Sequence, residues 1–550
     1  MHSSMISDSL RKHACRQQQS RTRTKGSGPV TDPDIYVGVE KLDDPGHIDI
    51  RRTRELFSVL NRKMQENFPW TPEEGPYNPT VPSGYTYLGQ LVSHDLFAAD
   101  NQAPSLRDPA NRRNLRTEAL ALETVYGDNP ELNAQVFERA PDQLGVNHLN
   151  WPRTRFRLDG VGHEVNDWSR DTSRCPRRDI GRIRDVRFGH EYGCPLIADE
   201  RNDDHAIISQ LTALFQLAHN TILDLIEWSE KPSDPLDSAN NFATAKAALS
   251  FVYRRIVQDD LLARLIDPFV REHYEGSDDP GRFILSPPKG SVLTPDFLNA
   301  AFRIGHSMVR SEYAFNNGKA HNLPEIMRNS SFRAPGRTPL QQHWIVAWSH
   351  FFDIEGAAHR PQDSRRISPR FVAALGDSGL FPDQEDDPNE PSGLAYRDML
   401  RTATTGVLKI DAIADRVCEK APDLAEKSDW ISDGDVRRHA LSEWISSDGS
   451  DDQEGIRSEF VNNPPPNVYY LLEAAEAKRG TMAGPLGSIV LAETFYRALD
   501  GKIREAEMES AAAEIFGKDV PNTMPALIAW IDRHMRTEDK VFDDRALPLV

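Results

Sequence analysis

The segment that most constrains this chain runs from Asp203 to Trp228, DDHAIISQLTALFQLAHNTILDLIEW. Apolar residues recur in it at spacings of three and four over more than six turns, the signature of a helix buried along most of one side. A core has to be built around it. Other segments share the helical period. TPDFLNAAFRIGHSMVRSEY opens with Thr294 as N-cap and Pro295 at the first helical position. VYYLLEAAEAKRG closes on Gly480 at a C-cap position, and GPLGSIVLAETFYRAL follows as a further apolar-periodic helix. Strand-like alternation is sparse and short. The expected fold is mainly α with few short strands. No internal repeat and no break in composition follows residue 34, so residues 34–550 are expected to form one large domain. At 38% hydrophobic the chain has the apolar mass for its core.

Several function classes are disfavoured at once. A net charge of −19 would repel nucleic-acid phosphates from the surface as a whole. There is no run of about 18 apolar residues, so no transmembrane helix is expected. Cys15, Cys175, Cys194 and Cys418 are scattered, without a CxxC pair, and do not make a disulfide framework. Residues 1–33 read as a disordered basic tail: the first 28 carry six Lys and Arg against Asp8, with no apolar core of a secretory signal. A cytoplasmic protein, or one exported without such a signal, is expected, and a monomer. SGLFPDQEDDPNEPSG and SSDGSDDQEG read as solvated loops; the second lacks the ligand spacing of an EF-hand.

There is no Walker loop, HExxH, GxSxG or strand-linked GxGxxG. Four short segments remain in which polar residues interrupt apolar helices. In PSGYTYLGQLVSHDLFAAD, Gln90 and His94 lie one turn apart on a face otherwise set with Leu88, Leu91 and Val92. Taken alone, that histidine reads most simply as a buried one satisfied by hydrogen bonds. In LIADERNDDHAIISQL, Arg201 precedes a helix N-terminus whose Asp203 and Asp204 suit the helix dipole. In AAFRIGHSMVRSEYAFN, Arg303 and His306 share a face, and Gly305 between them lets something flat approach. In LAYRDMLRTATTG, Asp398 and Arg401 are again three apart.

In this order the segments resemble the peroxidase–cyclooxygenase superfamily, the animal-type haem peroxidases. GYTYLGQLVSHD is similar to the family's distal pattern G-Q-x-x-x-H-D. ADERNDDHAIISQLTALFQLAHN is similar to its distal arginine segment, ending in the same His-Asn pair, here His219 and Asn220. AAFRIGHSMVR is similar to its proximal segment F-R-x-G-H. AWSHFFD and YYLLEAAEAKRGTMAGPLGSIVLAETF resemble two further segments of the bacterial branch. The resemblance covers roughly residues 80–500 and implies a single large domain with haem b between central helices.

It also implies roles. His306 would be the axial ligand of the haem iron, Arg303 a partner of a haem propionate, and Asp398 the hydrogen-bond partner of the proximal imidazole, with Arg401 beside it. His94 would move the peroxide proton from the inner to the outer oxygen. Arg201 would stabilise charge growing on the breaking O–O bond, and Gln90 would hold distal water and shape a halide site. Hydrogen peroxide would oxidise a small donor, a halide, thiocyanate or phenol, through a ferryl intermediate. Three departures from the family stand out. Ser93 stands where relatives with ester-linked haem carry Asp, and Asp204 where they carry Glu, so haem is expected to be non-covalent, with at most one ester through Asp204. Calcium, held in the family beside the distal helix, would here have Asp95, Thr117 and Glu123, but Ala121 replaces a carboxylate and weakens the site. Asp398 replaces the usual Asn.

Two other functions compete. A fatty-acid dioxygenase of the same superfamily carries a tyrosine three residues before the proximal histidine; that position is Arg303, and Tyr313 lies seven residues beyond His306. A structural or adhesion protein that kept the fold would have lost His94 or Arg201.

Overall fold

The computed structural model describes residues 34–40, 48–65, 75–98, 114–138, 151–160, 177–187, 190–229, 231–277, 279–316, 320–329, 342–376, 380, 393–447, 454–500, 502–536, 541–542, 545–546 and 549–550. The fold is mainly α, as expected. The elements used below are the helices α1 (Ile50–Met64), α2 (Gly84–Leu96), α3 (Ala206–Ser229), α4 (Pro235–Arg255), α5 (Pro295–Asn299), α6 (Leu394–Thr404), α7 (Pro466–Lys478) and α8 (Pro485–Leu499), and the strands β1 (Tyr77–Pro82) and β2 (Asp363–Arg365). Strands are confined to two-stranded antiparallel ribbons among the described residues. The basic tail lies outside those residues, as do Cys15, Cys175 and most of the two acidic loops. Cys194 and Cys418 are free thiols.

α3 is the central rod. Every residue from Ala206 to His219 is buried, so its polar side chains need partners inside the protein. Gln210 donates to the Arg178 carbonyl at 2.7 Å, and Thr212 returns its hydroxyl to the Ile208 carbonyl at 3.0 Å. His219 donates from Nε2 to the Thr154 carbonyl (2.8 Å) and accepts the Tyr126 hydroxyl on Nδ1 (2.9 Å). Asn220 pairs with both backbone groups of Phe156. The His-Asn pair is therefore a structural clamp. α3 starts three residues later than the apolar period suggested. Asp203 instead ends a 3₁₀ turn, Glu200–Asp203, because its buried carboxylate is bound by both terminal nitrogens of Arg182 at 2.7 and 2.8 Å.

α2 packs against α3 and leaves β1 with almost no connector. β1 pairs with β2, Tyr77 opposite Arg365, which sets the Phe351–Phe352 segment against the start of α2. A Cβ at Gly84 would sit 2.5 Å from the Phe352 ring and 2.6 Å from the Phe351 carbonyl oxygen. Only glycine fits there.

The segment from Thr294 was expected to be one helix. Thr294 does cap it, accepting the Phe297 N–H at 3.1 Å, but α5 ends at Asn299 and the chain continues as a 3₁₀ helix, Ala301–Met308. α6 packs against the break. The Thr402 hydroxyl lies between the Asn299 carbonyl (2.9 Å), the Asp398 carbonyl (2.8 Å) and Asn467 Oδ1 (3.2 Å), and the Arg303 N–H bonds the Ala300 carbonyl three residues back (3.1 Å). A 3₁₀ helix brings residues three apart into register, so Arg303 and His306 stack along one face. Beneath it, Phe495 of α8 meets Phe297 and Phe302 edge-on at 5.3 and 5.5 Å.

α7 ends as expected, with Arg479 and Gly480 both at positive φ and the Gly480 N–H on the Ala474 carbonyl at 2.8 Å. The start of α8 is capped from outside. Glu473 of α7 accepts the N–H groups of Leu486 and Gly487, each at 2.9 Å. Burial pushes this carboxyl up to about 7, against those two N–H groups.

Candidate active site

A cavity of about 730 Å³ separates α2 and the 3₁₀ turn before α3 from the 3₁₀ helix that carries His306. His94, Gln90, Arg201 and Asp204 line one side, and Arg303 and His306 the other, with Arg401 also on the lining. Segments more than 300 residues apart in sequence thus share one chamber.

On the distal side His94 is buried. Burial, with the Arg201 guanidinium adding to it, pulls its imidazole down to about 4, so it is a neutral base at neutral pH. Its Nδ1 is 2.8 Å from Asn202 Oδ1. Arg201 is clamped: it bonds Asp199 through Nε (2.9 Å) and Nη2 (2.6 Å), and Nη2 also reaches the carbonyls of His94 (3.0 Å) and Phe97 (2.8 Å). Its Nη1 has no partner among the described residues. Burial raises the Asp199 carboxyl, but the bond to Arg201 and the charges of Arg201 and Arg116 outweigh it and hold it at about 2. Arg116 also pairs with Asp199 and donates Nε to the His94 carbonyl at 3.0 Å.

Gln90 is not free. Its Oε1 lies 3.2 Å from Nε2 of His205, a second buried histidine on the lining. His205 accepts the Ile208 N–H on Nδ1 (3.4 Å), so its proton sits on Nε2 and donates to Gln90. Burial, then the nearby His94, pull His205 down to about 3. The Gln90 oxygen is thereby occupied, leaving its amide nitrogen as the group to present to the cavity. Sequence reasoning missed Asn202 and His205. The only signal was their place, one and four residues after Arg201.

On the proximal side His306 holds Asp398 through Nδ1, 2.6 Å from Oδ2. A carboxylate only accepts, so Nδ1 carries a proton, and Nε2 is the nitrogen left for a metal ligand. Arg303 donates Nε to the Leu298 carbonyl (3.1 Å) and lies 3.6 Å from Asp398 Oδ1. Asp398 is buried on α6. Asp204 follows the 3₁₀ turn, its N–H on the Arg201 carbonyl at 3.3 Å.

The residues fit a flat macrocycle. Gly89 on α2 and Gly305 beside His306 both line the cavity, and at neither would a Cβ meet any atom within 4 Å. Both walls are thus bare where a planar ring would press on them, and His306 offers a nitrogen lone pair from the proximal side. Haem is the group this donor set suits.

Calcium does not fit. Asp95 accepts the N–H groups of Leu122 and Thr124, each at 3.0 Å, and burial pushes its carboxyl up to about 6 against those bonds. Glu123 accepts the N–H groups of Thr117 and Glu118 at 3.0 Å and the Thr117 hydroxyl. The expected ligands are turned onto one another, in a loop where Leu120 and Leu122 take positive φ. Among the described residues no cluster suits a metal ion. Protein donors close this loop.

Comparison with known proteins agrees with the geometry. Residues 86–353 match the family model described as animal haem peroxidase. No curated protein matches the sequence. Among solved structures the chain is similar to peroxidase A from Dictyostelium discoideum, at 13% identity over 93% of this chain and 95% of that one, with a TM-score of 0.50. It is also similar to the fatty acid alpha-dioxygenase of Oryza sativa, at 14% identity over 87% and 77%, with a TM-score of 0.51. At such identities the likeness speaks for the fold.

Proposed function

We propose, for a chain that belongs to the animal haem peroxidase family, that it reduces hydrogen peroxide and oxidises a small donor, a halide, thiocyanate or a phenol. The observation that carries this is the pairing of opposite walls: a neutral buried base and a clamped arginine face a histidine whose ring proton is held by a carboxylate. Residues 34–550 act as one domain around haem b. Bound there, haem supplies the two-electron redox chemistry that no side chain offers.

The residues do the rest. His306 would hold the iron through Nε2, with its Nδ1 proton held by Asp398. Arg303 and Arg401 line the proximal edge and suit the propionates. His94 takes the peroxide proton on Nε2 and returns it to the departing oxygen. Arg201 offers Nη1 to the negative charge that grows there, its other nitrogens fixed in advance, so little reorganisation is needed. The amide nitrogen of Gln90 orients water or a small anion. Haem is held non-covalently: Ser93 has no carboxylate, and Asp204 is a methylene shorter than glutamate.

A dioxygenase reading is disfavoured by Arg303 at the position where that reading requires tyrosine. Tyr313 does not line the cavity; it lies behind Tyr87, 5.4 Å away between ring centres. The test is direct. Purified protein loaded with haem should show a Soret band that shifts within seconds of adding peroxide and returns when iodide, thiocyanate or guaiacol is added. Oxygen uptake with a free fatty acid and no donor turnover would instead establish the dioxygenase.

A further inference from the structure

We infer that Asn202 is a positioning residue that fixes which nitrogen of His94 faces the cavity, a role that rests on the peroxidase reading and deepens it. The argument is one of donors and acceptors. Asn202 Nδ2 is 3.0 Å from the Thr124 carbonyl oxygen and 3.1 Å from its hydroxyl. A carbonyl only accepts, so the atom facing Thr124 is the amide nitrogen, and Oδ1 is the atom facing His94. The Thr124 hydroxyl has its own obligation. It donates to Asp199 Oδ2 at 3.3 Å and is left to accept from Asn202. Oδ1 can therefore only accept from His94, and Nδ1, at 2.8 Å, carries the proton.

His94 Nε2 then holds a lone pair and has no partner among the described residues. Proton transfer from peroxide needs that polarity: an imidazole protonated on Nε2 would offer a donor where an acceptor is required. The same peptide unit ties the two distal side chains together. Thr124 gives its N–H to Asp95, the residue after His94, and its hydroxyl to Asp199, which clamps Arg201. A set of bonds with one consistent direction runs from His94 through Asn202 and Thr124 to Asp199. Asn202 is fully buried, so no water competes for these positions. It moves no proton itself.

The test uses the haem-loaded protein with hydrogen cyanide as probe, because cyanide binds ferric iron as the anion and leaves its proton on the distal base. Association is followed at pH 7 by the Soret shift in stopped flow. Asn202→Leu removes the acceptor and should slow association about tenfold, the size expected when a single neutral hydrogen bond no longer selects the tautomer. Asn202→Asp separates the two roles of this side chain. It restores an acceptor for Nδ1–H but cannot donate to the Thr124 carbonyl. If Asn202 acts through His94, the aspartate variant recovers the wild-type rate to within about twofold. Aspartate as slow as leucine would mean that Asn202 serves only to hold Thr124, and the proposal falls. So would a leucine variant with wild-type kinetics. A measurement on the unmodified chain guards against misfolded variants: nitrogen-15 spectra of the histidine side chains should show His94 protonated on Nδ1, and protonation on Nε2 overturns the inference. Wild-type protein that takes up no haem, or whose Soret band ignores cyanide, would defeat the peroxidase reading instead, while the nitrogen-15 spectrum of the haem-free chain still decides the tautomer.

Discussion

Replacing Asp398 by asparagine should raise the ferric/ferrous potential of the bound haem. The carboxylate accepts the His306 Nδ1–H at 2.6 Å, and a hydrogen bond to an ionised acceptor is roughly twice as strong as its neutral counterpart. In net terms that is about 1.5–3 kcal/mol against about 0.5–1.5 kcal/mol, a difference of about 1–1.5 kcal/mol. Arg303, 3.6 Å from the other oxygen, draws off part of the charge, so the lower value is the better guide. The ferric ion makes the imidazole N–H more acidic than the ferrous ion does, and the stronger bond therefore favours the oxidised state. For one electron, 59 mV corresponds to about 1.4 kcal/mol; only the part of the bond that differs between the two oxidation states counts, and the expected rise is at most about 40 mV. Asparagine can still accept from Nδ1, so haem should stay bound, whereas Asp398→Leu, which leaves no acceptor, should raise the potential further. Spectroelectrochemical titration of the three proteins gives the answer. A fall, or no movement, in Asp398→Asn would show that the carboxylate is neutralised by Arg303 and does not act on the histidine.

Other outcomes follow from the same geometry. His306→Ala should purify with little haem, since the axial nitrogen is lost, and unchanged haem content and Soret position would reject the ligand assignment. His94→Ala and Arg201→Ala should keep haem but react with peroxide about a hundredfold more slowly for the histidine. In the wild type that rate should hold as pH is lowered from 7 and fall only near pH 4, where His94 takes up a proton; a fall centred near 6.5 would show an imidazole that is not buried as described. Neither excess calcium nor a chelator should move the melting temperature, because the carboxylates of Asp95 and Glu123 are already taken by N–H and hydroxyl donors, and a stabilisation of several degrees by calcium would contradict this. Acidified organic extraction should strip the haem even after peroxide treatment; haem mass retained on the chain, and released in Asp204→Ala, would identify an ester through that residue.

The residues that touch the cavity were largely visible in one dimension, because each sits in a short motif whose spacing survives folding. Gln90 and His94 are one helical turn apart on an apolar face, and Arg303 and His306 are three apart, so any helix brings each pair together. The mainly α fold was equally legible, since burying one face of a helix leaves a period in the apolar residues. Thr294 as a cap and Gly480 as a stop are local physics, and both hold. What the local rules got wrong was the helix around His306. There the Arg303 N–H bonds the carbonyl three residues back, and the Thr402 hydroxyl, about a hundred residues away, lies against the Asn299 carbonyl that drops out of the ladder.

The direction of each hydrogen bond in the site belongs to the tertiary structure alone. Whether Gln90 shows the cavity an oxygen or a nitrogen depends on His205, and His205 in turn on the Ile208 amide. The same holds for Asp95 and Glu123: as a string of residues they look like metal ligands, and only the packed chain shows their carboxylates accepting from backbone amides. Motif spacing specifies which side chains can meet. It carries no information about which lone pairs and protons are already engaged, because those partners come from segments brought together only when the chain packs.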